Sequence, residues 1–463
     1  FGKSMLTKVI NSSIFLIILI SILASSTIVI YSQPSLQTVQ LSQNDNFEQM
    51  RQKIEEIWKD IPDSLRKGGW KQFKRWEHFW ETRLNPDGTL PNVARYLNSY
   101  FDFINNSKKN TLLSTAQWKP LGPFTNPPPK SGGNDKGVGR VNVLRLHPTK
   151  PKTIWAGAAS GGLWHSNDFG KTWTEFPFTQ FLSLGISDIQ FCQDNPRIVY
   201  VATGDANGIG GGGGNAYSIG VIKTTDEGAS WTVTKLAFAL NSQQVVARLF
   251  VHPNNPNIVI AATSIGIYKT TDGGNTWTNK NNQGYFKDLV AKPGNPNILF
   301  AATYGSNPSI FKSTDLGETW VSVHQVNGGN RIALAVTPDN NQNVYALCST
   351  TPFHSFRVSY DEGVTWKVVS SNSGNTPNIL GRDQGFGDDR NVGQGWYDLC
   401  LAVAPWDENE VYVGGINIWK SNDGGYNWEQ VTHWYGGYNK PLVHADIHYL
   451  LFDEISGDLF TAN

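Results

Sequence analysis

Thr270-Thr-Asp-Gly-Gly-Asn-Thr-Trp277 is one of six copies of a pattern with Ser or Thr first, Asp third, Gly fifth and Trp eighth. The copies end at six tryptophans: Trp173, Trp231, Trp277, Trp320, Trp366 and Trp428. Successive tryptophans are 58, 46, 43, 46 and 62 residues apart. Repeats of this length are typical of propeller blades and solenoid units.

Each repeat contains four short apolar runs separated by turn residues. In the repeat that ends near Trp277, the runs are 246–251, 258–262, 267–269 and a fourth that begins at the tryptophan itself. Four strands per repeat indicate an all-β propeller. At the common step of 46 residues, 139–463 would hold about seven units. We therefore predict a seven-bladed β-propeller over 139–463, C-terminally incomplete, with a truncated last blade that lacks the pattern.

The repeated Asp has a mechanical explanation. Its carboxylate can accept backbone N–H groups of its own hairpin, the Gly supplies a positive φ, and the Trp fills space between layers. One catalytic centre has no use for six identical copies around a ring. We therefore predict structural roles for all six: Asp168, Asp226, Asp272, Asp315, Asp361 and Asp423.

The N-terminal segment has the features of a targeting sequence. Lys3 and Lys8 precede an uncharged run that lasts until Asp45, and its most apolar part is 14–23. This predicts a secretory signal peptide over 1–32, with a membrane anchor as the alternative, and hence a secreted or cell-surface protein. A membrane is a partner only if this segment is not cleaved.

A helical region and a linker are predicted between the signal peptide and the propeller. Residues 45–105 are rich in charge and aromatics, and apolar residues recur at helical spacing in three stretches, within 47–61, 70–80 and 96–104. Residues 106–138 are rich in Pro and Gly and are predicted to be a linker.

Composition removes several functional classes. The chain has 38 basic and 38 acidic side chains, so it has no electrostatic footprint for a nucleic acid. The glycine run 210–214 lacks the strand-to-helix context of a phosphate-binding loop, and we predict no cofactor. Three cysteines lie in apolar runs and are predicted to be buried free thiols: Cys192, Cys348 and Cys400.

One face of the propeller is the candidate ligand site. The two long repeats owe their length to insertions at 204–218 and 374–395, which fall in loops on the face where the first strand of each blade begins. The candidate ligand-binding residues on this face are Arg140, Arg248, Arg331, Trp396, Tyr397, Asp398, His444, Asp446 and His448. The candidate catalytic carboxylates are Asp205, Asp398 and Asp446.

The closest group of metal-ligand residue types is His444, Asp446 and His448. On a strand, all three side chains would point to one side, with the two histidines roughly 13 Å apart. That separation is too large for all three to hold one ion at about 2 Å. We therefore predict no metal site.

The repeated pattern resembles the Asp-box, or BNR repeat, of sialidases, two-propeller xyloglucan-cleaving endoglucanases, sortilin-type receptors and photosystem-assembly propellers. The stretches 69–81, 395–398 and 444–448 also resemble large secreted Bacteroidetes proteins. That resemblance implies a signal peptide, a helical N-terminal region, an Asp-box propeller and a C-terminal tag for type IX secretion. Such a tag, and its contact with the secretion machinery, would lie beyond this fragment.

Two functions remain open from the sequence. The first is a secreted or cell-surface binding module for glycan or protein ligands. The alternative is a xyloglucanase-like or sialidase-like glycoside hydrolase. The Arg-Ile-Pro signature of sialidases is absent, and Ala158-Ala-Ser-Gly-Gly162 has no carboxylate where xyloglucan-cleaving enzymes carry an Asp before Gly-Gly.

Overall fold

The computed structural model describes residues 46–62, 66, 70–89, 139–176, 185–208, 218–239 and 242–463. The chain divides into two units, Phe1–Thr111 and Leu112–Asn463. The predicted signal peptide or anchor (1–32), the third predicted helix and the linker (106–138) lie outside the described residues. Within those residues, no helix has the length and apolarity needed to cross a membrane.

The first unit contains two helices, α1 (Phe47–Trp58) and α2 (Trp70–Glu81), at two of the predicted helical stretches. Asn46 and Gln49 form a reciprocal capping box at the start of α1, which satisfies two otherwise unpaired backbone N–H groups. The aromatic residues form the core, with Trp58 fully buried and its ring centroid 5.6 Å from that of Trp70.

The second unit is a β-propeller of six four-stranded antiparallel sheets, each formed by strands in chain order. The sheets are β1 (Val141–Leu146), β2 (Ile154–Ala158), β3 (Leu163–Ser166), β4 (Thr174–Glu175); β5 (Ile186–Phe191), β6 (Val199–Thr203), β7 (Gly220–Thr224), β8 (Thr232–Ala237); β9 (Val246–Val251), β10 (Val259–Thr263), β11 (Gly266–Thr270), β12 (Thr278–Asn281); β13 (Tyr285–Ala291), β14 (Leu299–Tyr304), β15 (Ser309–Ser313), β16 (Val321–Gln325); β17 (Arg331–Val336), β18 (Val344–Ser349), β19 (Phe353–Ser359), β20 (Lys367–Ser371); and β21 (Cys400–Val403), β22 (Val411–Gly414), β23 (Ile418–Ser421), β24 (Glu429–Gln430).

The last two strands, β25 (Tyr449–Phe452) and β26 (Leu459–Ala462), form a two-stranded sheet. This sheet packs between β21 and β1, so that the first strands of all seven sheets make a closed ring. The backbone N–H of Val141 donates to the carbonyl of Asn463 at 3.0 Å across the junction. The structure therefore has six blades rather than the predicted seven, because in the described residues the last sheet has no third or fourth strand.

The core consists of apolar layers between neighbouring sheets. The glycine at the fifth position of the repeated pattern lies against the blade before it: a Cβ on Gly363 would lie 2.7 Å from the Phe300 ring, and one on Gly317 would lie 2.6 Å from Ile260. Both glycines also have a positive φ, as the sequence predicted. The three cysteines are buried free thiols, which confirms that prediction.

The repeated Asp caps the turn between the third and fourth strands of each blade. One carboxylate oxygen of Asp272 accepts the Thr276 N–H at 2.9 Å and the Thr270 hydroxyl at 2.8 Å, and the other accepts the Thr276 hydroxyl at 2.7 Å. These bonds from Thr276 and Thr270 lower the Asp272 pKa to about 2. The same arrangement recurs at Asp168, Asp226, Asp315 and Asp361, and at Asp423 with the Asn427 amide in place of the second hydroxyl.

We expect Asp272→Ala to destabilise the fold without affecting any ligand affinity. The change removes three hydrogen bonds from one turn, and we expect a Tm lower by about 2 to 5 °C. Asp194→Ala, which alters an exposed Asp outside the repeated pattern, is the control. A normal melting temperature combined with lost ligand binding would contradict the structural role.

Candidate functional site

The candidate site is the end of the central channel at which the first strands begin, here called the mouth. Because successive strands are antiparallel, the loop between the second and third strands and the loop that leads to the next blade both reach this end. The turns that contain the repeated Asp lie at the opposite end. The two insertions connect β6 to β7 and β20 to β21, so both belong to the mouth side.

Arg140 and Asp205 form an ion pair at the mouth. The Asp205 carboxylate is buried and also accepts the backbone N–H groups of Asn207 at 3.2 Å and Gly208 at 3.1 Å. The Arg140 guanidinium carbon lies 4.9 Å from the Tyr397 ring centroid, a cation–π distance. These contacts hold the Asp205 carboxylate in place, and its ion pair orients Arg140 towards Tyr397.

Arg331 anchors the loop that carries the candidate residues 396–398. Its guanidinium donates to the carbonyls of Trp396 at 3.2 Å, Tyr397 at 2.8 Å and Leu399 at 3.3 Å. It also donates to the Asn207 side-chain oxygen at 2.9 Å, which ties this loop to the one after β6. Because Arg331 is only 4% exposed, the bonds are shielded from water.

Asp398 and Asp446 form a pair of neighbouring carboxyl groups. The Gln394 amide nitrogen donates to Asp446 and, at 3.4 Å, to Asp398. Burial raises the Asp398 pKa well above its usual range, and the Asp446 charge raises it further; Asp446 is also close enough to hydrogen-bond the protonated acid. Asp398 is 1% exposed, and its Oδ1 has no hydrogen-bond partner among the described residues. This environment therefore favours the protonated form of Asp398.

His448 lies beside this pair as a neutral ring. It is 1% exposed, and its ring centroid is 4.7 Å from that of Tyr397, edge to face. Burial lowers the His448 pKa well below its usual value, and the nearby positive charges of Arg140, Arg331, Lys287 and Arg248 lower it further. Neither ring nitrogen has a hydrogen-bond partner in the part of the chain that the structure describes.

Lys287, Gln394 and Asn207 belong to the mouth but were missed by the sequence analysis. Lys287 is buried, donates to the Trp396 carbonyl at 3.3 Å, and has a pKa lowered well below its usual range by burial. A β-bulge between Phe286 and Asp288 interrupts the strand alternation at this point, so a strict period of two does not predict its direction. Gln394 and Asn207 lie in loops whose course no sequence pattern specified.

One of the predicted ligand-binding residues lies deeper in the channel than the mouth, and another is exposed next to the end of β26. Arg248 is the third residue of β9 and pairs with Asp288 at 3.3 Å, deeper in the channel. There it borders a cavity of about 310 Å³ that opens away from the mouth, where Asp288 also accepts the backbone N–H of Leu334 at 2.8 Å. His444 is exposed, and its backbone carbonyl accepts a hydrogen bond from Asn463 at 2.6 Å.

The predicted strand over 444–448 was wrong. The seventh first strand begins only at Tyr449, and the residues before it have no regular strand pairing. The backbone N–H of Ile447 donates instead to Gly415 at 2.7 Å, across the neighbouring blade. His444, Asp446 and His448 therefore have different environments: an exposed ring, a carboxylate at the mouth and a buried ring. Among the described residues, no three His, Cys, Asp or Glu side chains converge as a metal site.

We expect the protein to lose stability as the pH falls below about 6.5. Burial lowers the pKa of six histidines, so folding favours their neutral form: His147, His165, His324, His354, His433 and His448. Below the unfolded-state value of about 6.5, the unfolded chain binds these protons more readily, and the stability is lost as pH falls. Asp398 is a single group with a raised pKa, so its protonation makes the folded state more stable as the pH falls. Thermal melts between pH 7.5 and 5 measure the sum, and a constant Tm would contradict the burial of neutral histidines.

No family model matches the chain. It is 24% identical over 357 residues to a xyloglucanase of Acetivibrio thermocellus, an alignment that covers 67% of this chain and 40% of that protein. It is also 24% identical over 253 residues to a probable oligoxyloglucan-reducing end-specific xyloglucanase of Neosartorya fischeri, covering 52% of this chain and 28% of that protein. The chain therefore spans less than half the length of these relatives.

Among solved structures, the chain is similar to the GH74 xyloglucanase of Xanthomonas campestris, with a TM-score of 0.52 and 15% identity. The match covers 70% of this chain and 51% of that one. At this identity the likeness shows the β-propeller fold alone.

Proposed function

We propose that the chain is part of an extracellular glycoside hydrolase that binds its polysaccharide at the mouth. The observation that supports this most is the Asp398–Asp446 pair, in which the Gln394 amide donates to both carboxyl groups and burial raises the pKa of Asp398. Glycoside hydrolysis uses two carboxyl groups on either side of the scissile bond, one of which acts as an acid with a raised pKa. The similarity to xyloglucanases points to xyloglucan as the first substrate to test.

In the proposed mechanism, Asp398 is the general acid. Its proton passes to the glycosidic oxygen of the leaving sugar, water adds to the anomeric carbon, and Asp446 takes the proton of that water. Carboxyl groups in glycosidases are usually about 5 to 9.5 Å apart, so in this mechanism the substrate enters between Asp398 and Asp446 and displaces the Gln394 amide that bonds to both. Tyr397 and Trp396 offer aromatic faces for the sugar ring, and Arg140 offers N–H donors for its hydroxyls.

The test is the release of reducing ends from a panel of xyloglucan, xylan, mixed-linkage glucan and galactomannan. We expect the wild-type chain to cleave at least one of them and Asp446→Asn to lower the rate by about 10²-fold or more. Glu454→Gln, at an exposed carboxylate on the opposite side, is the matched control and should retain full activity. A wild-type chain that releases no reducing ends from any of the four would contradict the proposal.

A binding module for glycan or protein ligands is the second candidate. Ala158, Ala159 and Ser160 precede Gly161-Gly162, where the xyloglucan-cleaving enzymes that the repeats resemble carry an Asp. This absence supports a chain that holds a glycan without cleaving it. Retention of the wild type by a polysaccharide in affinity electrophoresis, with no reducing ends released, is the outcome that would favour it.

We also infer that the six turns are Asp-boxes and that β25 and β26 are the inner strands of a seventh blade. The shared hydrogen bonds of the repeated Asp support the first inference, and the position of this sheet in the closed ring supports the second. Sortilin-like relationships, export and type IX secretion remain proposals carried by the N-terminal sequence and its resemblances.

A further inference from the structure

The loop between β24 and β25 carries an exposed group of aromatic rings, here called the aromatic platform: Trp434, Tyr435 and Tyr438. Their exposed fractions are 37%, 51% and 47%. They surround the buried ring of His433, whose centroid lies 4.2 Å from that of Tyr435 and 5.2 Å from that of Tyr438. The Trp434 and Tyr435 centroids are 4.7 Å apart, with perpendicular planes. The platform therefore exposes two aromatic rings to solvent, and the planes of these rings are perpendicular to each other.

The platform is held in place by buried polar contacts. The Nδ1 atom of His433 accepts the backbone N–H of Gly437 at 3.2 Å, and the backbone N–H of His433 donates to the Pro441 carbonyl at 2.9 Å. The backbone N–H of Trp434 donates at 2.9 Å to the side-chain oxygen of Asn417, a residue that is 1% exposed. The Asn417 amide in turn donates to the backbone carbonyl of Arg382, in the 374–395 insertion, at 3.0 Å. The insertion thus supports the platform from beneath.

Tyr438 has a backbone conformation that side chains rarely adopt. Its φ is 58°, and the following Asn439 has a φ of 56°. Asn tolerates this left-handed region, but for Tyr it is a strained conformation. Residues held in this way are concentrated at ligand-binding sites, where the fold positions a side chain that the local sequence would place elsewhere.

The platform lies on the same side of the propeller as the mouth, because the loop between β24 and β25 connects one blade to the next sheet on that side. The loop that carries Trp434 and Tyr438 runs on to Asp446 and His448, and the insertion beneath it runs on to Gln394. Both segments thus contribute to the platform and to the candidate site.

The charges beside the platform are paired. Arg382 lies 3.4 Å from Asp383, and Lys440 lies 3.1 Å from Glu429. This surface suits an uncharged partner with apolar faces and hydroxyl edges, because the ring faces are apolar while the indole N–H and phenol groups can form hydrogen bonds. Pyranose rings have both features: C–H groups on their faces and hydroxyls at their edges.

We propose that the aromatic platform binds a neutral polysaccharide chain as an extension of the mouth. The substrate class in this inference rests on the proposed function. Its test measures binding and does not depend on hydrolysis. The platform binds sugar units remote from the scissile bond, so it affects the affinity for polymers more than that for short oligosaccharides.

The test is affinity electrophoresis of the whole chain in gels that contain xyloglucan, mixed-linkage glucan or galactomannan. We expect the wild type to be retarded in at least one gel and the double variant Trp434→Ala/Tyr435→Ala to bind at least tenfold more weakly. Tyr426→Ala removes an equally exposed aromatic residue from a turn on the opposite face and should bind as the wild type does. Circular dichroism melts establish that both variants are folded.

The outcomes separate this inference from the proposed function. A wild type that is retarded equally with and without the platform rings, or that is retarded in none of the gels, overturns the platform as a polysaccharide site. Release of reducing ends by the wild type, measured separately, decides whether the chain is a hydrolase. If the chain is one, the double variant should raise the KM for polymer and leave that for a short oligosaccharide within about twofold.

Discussion

Asp398→Asn is expected to lower the hydrolysis of xyloglucan by about 10²- to 10⁴-fold while the protein remains fully folded. The amide has nearly the shape of the protonated acid and can still donate a hydrogen bond to Asp446, but it has no proton to transfer. The raised Asp398 pKa adds a test of stability. A folded-state pKa above the unfolded value means that stability is lost as pH rises through the folded pKa. Asn, which cannot ionise, should abolish that loss, so the variant should melt no lower than the wild type at pH 7.5.

The rate is measured by the release of reducing ends, and the stability by thermal melts at pH 5 and pH 7.5. The pH profile of the wild type gives a further check, because activity should fall as Asp398 loses its proton on the alkaline side. Glu454→Gln again controls for the loss of one negative charge. An Asp398→Asn variant with wild-type turnover would contradict the assignment of this residue as the acid.

Arg331→Ala is expected to lower the free energy of unfolding by about 3 to 5 kcal/mol. The guanidinium is buried, and its four hydrogen bonds hold the loop at 396–399 against Asn207. Removing it leaves buried carbonyl groups without donors and a cavity at the base of the mouth. Urea unfolding followed by tryptophan fluorescence measures the loss.

Arg331→Lys tests whether charge alone is sufficient. A lysine keeps the positive charge but lacks the flat guanidinium that donates to three carbonyls and an amide oxygen. We therefore expect most of the loss to remain. Arg197→Ala, at an exposed arginine, should change the free energy of unfolding by less than about 0.5 kcal/mol. An Arg331→Ala variant within 1 kcal/mol of the wild type would contradict the anchoring role.

The repeated pattern predicted the blades because it fixes both a turn and a spacing. Each Asp is within reach of the N–H and hydroxyl groups four residues later, so the motif defines its own turn wherever it occurs. The apolar runs around it then pair as neighbouring strands. The sequence predicted seven blades with a truncated last one, and the described residues form six four-stranded blades and a two-stranded sheet. Dividing a length by an average step does not reveal how many strands the last sheet contains.

The mouth could be predicted in part. Arg140, Arg331 and Asp398 flank or begin first strands, and ring closure brings such positions together whatever the loops do. Gln394 and Lys287 could not be predicted, since one depends on the course of an insertion and the other on a β-bulge. His444 failed for a related reason: the strand assumed for it begins five residues later, at Tyr449.

The most direct test of the central claim is a crystal structure of Asp398→Asn with a xyloglucan oligosaccharide. We expect a sugar ring in the mouth, with its glycosidic oxygen within hydrogen-bond distance of residue 398 and its face against Tyr397. The polymer-side units should extend towards Trp434 and Tyr435. An oligosaccharide bound at the turns that contain the repeated Asp, with the mouth empty, would contradict the account.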